Sequence, residues 1–157
     1  MLIRSSSIRR LLPLLLPALI AGPTSSGQIR DRYHIAGPVE AELVSVIDGD
    51  TVMVNAKPWP QQTMTVMVRI RGIDTPELHA HCAKSRLQAK QAREALAGML
   101  ETASGRMTLS DISGDKYFGR VVASVSLTPR RDVAQELLSR GLARPYDGGR
   151  KSIPACS

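Results

Sequence analysis

Two acidic clusters and two arginines recur at close spacing in this chain. Asp48-Gly49-Asp50-Thr51 comes first, then Arg69, then Asp74-Thr75-Pro76-Glu77, and Asp115-Lys116-Tyr117-Phe118-Gly119-Arg120 follows. Carboxylates held together repel one another unless a cation sits among them. Oxygen-only donors suit a hard cation such as Ca²⁺ or Mg²⁺. An arginine beside such a site matches the oxygens of a phosphate with its planar fork. Cation, phosphate clamp and a spare carboxylate together point to phosphodiester hydrolysis. Each piece alone has a plainer reading. Asp48 and Asp50 suit a turn, and Asp74-Thr75-Pro76-Glu77 suits a helix start.

The elements that must position these residues follow from hydrophobic period. Ala41, Leu43, Ser45 and Ile47 alternate with Glu42, Val44 and Val46, which predicts a strand, and Asp48-Gly49 predicts a turn after it. Thr51 to Val54 reads as a second strand, with Lys57-Pro58-Trp59-Pro60 as a hairpin tip. Met64, Val66, Val68 and Ile70 define a third strand, from which Arg69 projects on the opposite face. Ala92, Ala95, Leu96, Met99 and Leu100 recur at helical spacing within 84–100, and Ser104-Gly105 stops that helix. Arg106 to Ser110 and Arg120 to Leu127 predict two more strands; Asp132 to Arg140 predicts a second helix ended by Gly141. This order implies an α+β chain: a five-stranded β-barrel of the OB type with two or three packed helices.

The combined motifs, DGDT, VRIRGIDTPE, DKYFGR and LLSRGLARPY, resemble the staphylococcal nuclease (thermonuclease) family over Glu42 to Tyr146. The resemblance implies an OB-fold nuclease that depends on Ca²⁺, cleaves DNA and RNA and leaves 3′-phosphate ends. It implies that Asp50 and Asp74 bind the metal by carboxylate and Thr75 by its carbonyl. Asp48 matches an acid near the metal, and Glu77 the carboxylate that activates or orients water. Arg69 and Arg120 match the phosphate-binding arginines. Lys116, Tyr117 and, one position off, Tyr146 match groups that contact the nucleotide. The sequence departs from the family's pattern at Phe118, inserted into the tyrosine-glycine-arginine order. That extra residue either bulges out or shifts Arg120 against Lys116 and Tyr117. A module of the same fold that binds nucleic acid without cutting it is the rival reading.

The ends of the chain add compartment and boundaries. Basic residues up to Arg10, the apolar run Leu11 to Ala21 and the small residues that follow have the order of a secretory signal over 1–27, cleaved between 21 and 28. No membrane insertion is expected after that cleavage. Residues 28–39 read as a linker, 40–147 as the nuclease-like domain and 148–157 as a tail. The net charge is +7, or +4 without the three arginines of the first segment, which suits a polyanionic partner, DNA or RNA. Nothing in the sequence demands more than a monomer. The chain has two cysteines, Cys82 and Cys156, and an oxidising compartment predicts a disulfide between them. The bridge would close a loop of about 75 residues and contribute up to about 4 kcal/mol.

Overall fold

The computed structural model describes residues 34–128 and 131–149. The expected signal, the first half of the linker, and Cys156 lie outside these residues. Five long strands carry the fold: β2 (Val39–Val46), β3 (Thr51–Trp59), β4 (Gln62–Ile70), β6 (Arg106–Gly114) and β7 (Arg120–Thr128). Antiparallel pairs β2–β3, β3–β4, β2–β6 and β6–β7, with a parallel β4–β7 pair, close them into a barrel. Two-residue strands decorate it: β1 (His34–Ile35), β5 (Ile73–Asp74), β8 (Arg131–Asp132) and β9 (Arg144–Pro145). Helices α1 (Ala83–Thr102) and α2 (Val133–Ser139) pack against it. This is the five-stranded OB-type barrel the periodicity implies, with two helices among the described residues.

Alternation decides which side chains go inside. Val52, Val54 and Ala56 of β3, Val68 and Ile70 of β4, and Ala123 and Val125 of β7 are buried in one cluster. Leu96, Met99 and Leu100 of α1 and Val133 and Leu137 of α2 complete it. Beyond Leu109 the next buried residue of β6 is Ile112, a spacing of three, because the strand bulges between Ser110 and Ser113 with Asp111 at φ 50°. That bulge is why alternation ends at Ser110 while the strand runs on to Gly114. Likewise β3 passes through Pro58, tolerated where the β3–β4 register shifts between Ala56 and Trp59. The hairpin tip is therefore Pro60-Gln61, two residues later than expected.

Part of the expected linker is structured. His34 and Ile35 pair with Ser113 and Ile112 of β6, and Val39 already begins β2. A two-residue strand has no period to read. Among the described residues no helix is long and apolar enough to cross a membrane.

Candidate active site

The parallel register of β4 and β7 builds the site. Met67 pairs with Arg120 and Arg69 with Val122. Paired residues in neighbouring strands project to one side, so Arg69 and Arg120 share a face opposite the core residues Val68, Ile70 and Ala123. All four, Met67, Arg69, Arg120 and Val122, line a cleft of about 1460 Å³. Glu77, Lys116, Tyr117 and Tyr146 line the same cleft, so residues far apart in sequence meet there.

The first acidic cluster sits in the β2–β3 turn. The backbone N–H groups of Ile47 and Asp48 both donate to the Thr51 carbonyl, at 3.0 and 3.2 Å. Asp48 accepts the Asp50 backbone N–H at 3.0 Å, so it does carry out the turn chemistry its sequence suggests. Asp50 points inward and is 2% exposed. Its Oδ1 accepts from Arg69 Nη1 at 2.8 Å and from the Thr51 hydroxyl at 3.0 Å, and its Oδ2 accepts the Thr75 N–H at 3.1 Å.

The second cluster follows the Arg71-Gly72 turn, where Gly72 adopts φ 82°. The Gly72 carbonyl accepts the Tyr146 N–H at 2.9 Å, and β9 pairs with β5, so the chain's C-terminal part holds Asp74 in place. Arg69 Nη2 donates to Asp74 Oδ1 at 2.9 Å. No helix starts at Asp74: the Glu77 backbone carbonyl accepts the Ala80 N–H in a turn, and α1 begins only at Ala83. Glu77 is exposed at the cleft.

One guanidinium thus bridges two carboxylates, with Asp48 a third acid nearby. Burial pushes Asp50 up to about 6, and Asp48 adds to this; Arg69, the Thr75 N–H and the Thr51 hydroxyl oppose it. Burial also disfavours the charge of Arg69, yet Asp50, Asp74 and Asp48 outweigh it and leave its pKa raised. The two directions agree on one physical point: three acids face one arginine, and the site lacks positive charge.

A hard cation fits that deficit. The donors at hand are the carboxylates of Asp50 and Asp74 and the carbonyl of Thr75, all oxygen. Among the described residues no three His, Cys, Asp or Glu side chains are grouped closely enough to hold an ion by themselves, so waters or a phosphate would complete the coordination.

Arg120 enters from the far wall. Its Nε donates to Asp115 Oδ2 at 2.5 Å, and its guanidinium lies 4.7 Å from the Tyr117 ring centroid. Lys116 Nζ lies 5.1 Å from the same ring. The hairpin is closed by Asp115 N–H to the Arg120 carbonyl at 3.1 Å and Arg120 N–H to the Tyr117 carbonyl at 3.3 Å. Phe118 projects fully into solvent, so the extra residue bulges out and Arg120 stays in the cleft. Tyr146 lies 5.6 Å from Arg69 and donates its hydroxyl to the Gly149 carbonyl at 2.9 Å.

Sequence reasoning missed Asp115 as the partner of Arg120, although an acid and an arginine flanking a tight hairpin is a readable signal. It also missed Arg71, which lines the cleft and reaches Asp111 Oδ2 at 2.8 Å. On α1, Arg86 and Arg93 bind backbone carbonyls of neighbouring segments. They donate to the carbonyls of Ala80, His81 and Val46 and tie the helix to the site's flanks. Cys82 is the N-cap of α1, with Sγ 3.0 Å from Ser85 Oγ.

A closed mixed barrel with Arg69 and Arg120 on its β4–β7 face, and with Asp50 and Asp74 bound to Arg69, defines an α+β protein of the OB-fold class. The family described as "Staphylococcal nuclease homologue" matches residues 67–154, more than half of the chain, and the chain belongs to that family. It is also similar to "Probable endonuclease lcl3" of Penicillium rubens, 35% identical over 152 residues that cover 80% of this chain and 50% of the relative. The proteins of the same name from Neosartorya fischeri and Aspergillus terreus are 38% and 36% identical over 91 residues, covering 53% of this chain and 30% of each relative. The chain spans half or less of the length of these curated relatives.

Proposed function

We propose that this chain is a nuclease that hydrolyses phosphodiester bonds in DNA, RNA or both. The observation that carries the proposal is the convergence of Arg69, Arg120 and Glu77 on one cleft, with Asp50 and Asp74 behind Arg69. Arg69 and Arg120 hold the non-bridging oxygens of the phosphate. Extra negative charge develops on those oxygens at the five-coordinate stage, so both arginines stabilise that stage more than the bound substrate. Glu77 accepts a proton from the attacking water. A P–O bond forms on one side while the bond to the 5′ oxygen breaks on the other; the leaving 5′ oxygen takes a proton from solvent water, and the products are a 3′-phosphate and a 5′-hydroxyl. Ca²⁺, held by Asp50, Asp74 and the Thr75 carbonyl, would polarise the phosphate and offset charge when bound. Lys116, Tyr117 and Tyr146 contact the nucleotide from the cleft walls.

The compartment belongs to the same proposal. The N-terminal pattern favours export to the periplasm or medium, and the enzyme acts there as a monomer. Among the described residues there is no free cysteine, which supports a Cys82–Cys156 bridge.

The test is hydrolysis of single-stranded and duplex DNA and of RNA, with Ca²⁺ and with a chelator, beside Glu77→Gln. We expect cleavage that the chelator abolishes and that Glu77→Gln lowers by about 10²–10⁴-fold. Binding without cleavage under every condition would assign the chain to the non-catalytic class instead.

A further inference from the structure

Aromatic side chains are scarce here: one Phe, one Trp and three Tyr in the whole chain. A small barrel with so few would be expected to bury them, because each removes a large apolar area from water. The described residues include four aromatics; two of them, Tyr117 and Tyr146, line the cleft, and Phe118 directly follows Tyr117 in the chain. Among the described residues the core is built from aliphatic and methionine side chains.

Phe118 is the extreme case, at 106% exposure beside Tyr117 at 56%. Tyr117 and Arg120 line the cleft, and Phe118 sits between them in the chain with its ring in water. The segment that carries it is firmly held. Asp115 accepts the Lys116 N–H at 2.6 Å as well as Arg120 Nε, two backbone bonds close the hairpin, and Gly119 turns the chain at φ 80°. The hairpin therefore holds an apolar ring in water one residue from a tyrosine that is flanked by Lys116 and Arg120.

A flat ring beside cationic groups that grip a phosphate suits one kind of partner: the face of an unpaired nucleobase. We propose that Phe118 is a base-stacking residue, taking the base of a nucleotide flanking the phosphate held by Arg69 and Arg120, and so favouring unpaired strands. The proposal rests on the nuclease reading for the position of that phosphate. A duplex keeps its base faces stacked on one another and offers none to the ring. The contact carries no hydrogen-bond readout, so it tolerates any base.

The experiment is fluorescence anisotropy with the full chain in chelator, where no turnover occurs. The probes are a labelled single-stranded decamer, its duplex and the same decamer with abasic residues. Phe118→Ala should weaken single-strand binding by about 5- to 150-fold, the range that one stacked base supplies. The duplex should lose less. Wild type and variant should bind the abasic strand alike, and Phe118→Trp should restore single-strand affinity. Unchanged affinity in Phe118→Ala overturns the proposal, as does an equal loss on the abasic strand, which would mean a structural or backbone role. A changed sedimentation coefficient with unchanged affinity also overturns it and assigns the ring to a protein contact. Wild type that binds but never cuts sinks the nuclease reading while leaving the stacking test intact. Absence of binding to every probe sinks both.

Discussion

Replacing Arg69 by Gln separates what the arginine does for folding from what it does for chemistry. Arg69 donates to Asp50 at 2.8 Å and to Asp74 at 2.9 Å, and its side chain is only 12% exposed. Asp50 is 2% exposed, so without the guanidinium its ionised carboxylate keeps only the Thr75 N–H and the Thr51 hydroxyl. Leaving a buried charge unpaired in this way costs about 3–5 kcal/mol. In a domain of this size that lowers Tm by about 10–20 °C. The loss depends on pH with a definite sign. Burial raises Asp50 from 3.8 to about 6, so this group's contribution to stability is fully present below about pH 4 and is lost as pH rises through about 6. Removing Arg69 takes away an influence that lowers this pKa. The penalty therefore falls on the ionised form: large at pH 8, small at pH 5. Thermal unfolding by circular dichroism in chelator, at both pH values, measures it. Asp50→Asn combined with Arg69→Gln should recover most of the stability at pH 8, since no unpaired charge is left buried at Asp50, and should recover none of the cleavage. An equal loss at the two pH values, or no loss at either, would refute the electrostatic account of this pair.

Two further substitutions probe the scaffold. Asp132 caps α2 by accepting the Gln135 N–H at 2.9 Å, so Asp132→Ala should cost about 1 kcal/mol in urea unfolding and leave cleavage unchanged. A Cβ at Gly49 would stand 2.7 Å from Ala92 Cβ and 2.8 Å from Thr75 Oγ1. Gly49→Ala should then cost about 1–3 kcal/mol and, by displacing Thr75, reduce cleavage as well; a fully active variant would show that the α1 contact alone gives way.

What was legible in the chain and what was not divides along the range of the forces involved. Alternation in β4 and β7 and the helical spacing of α1 report burial, and burial is imposed residue by residue; in β2 the alternation breaks at the Leu43–Ser45 bulge, past which Val46 packs on the core and Ile47 is exposed. The sequence therefore determined which faces of these elements turn inward. It also determined that Arg69 projects from the face opposite Val68 and Ile70. Arg69 and Asp74 meet because a single turn at Arg71-Gly72 separates them, so that half of the site is nearly local. Period two says nothing, however, about which strand lies alongside or in what register. Only the parallel pairing of β4 with β7 decided that Arg120 would stand on the same face as Arg69, 51 residues away. The β6 bulge at Asp111, the two-residue strands β1, β5, β8 and β9, and the place of Tyr146 over Arg69 were equally tertiary decisions. The same holds for Phe118. Its type and position were plain in the sequence, but only the closed hairpin bonds of Asp115, Tyr117 and Arg120 decided that the extra residue would leave the arginine in place and put its ring in water.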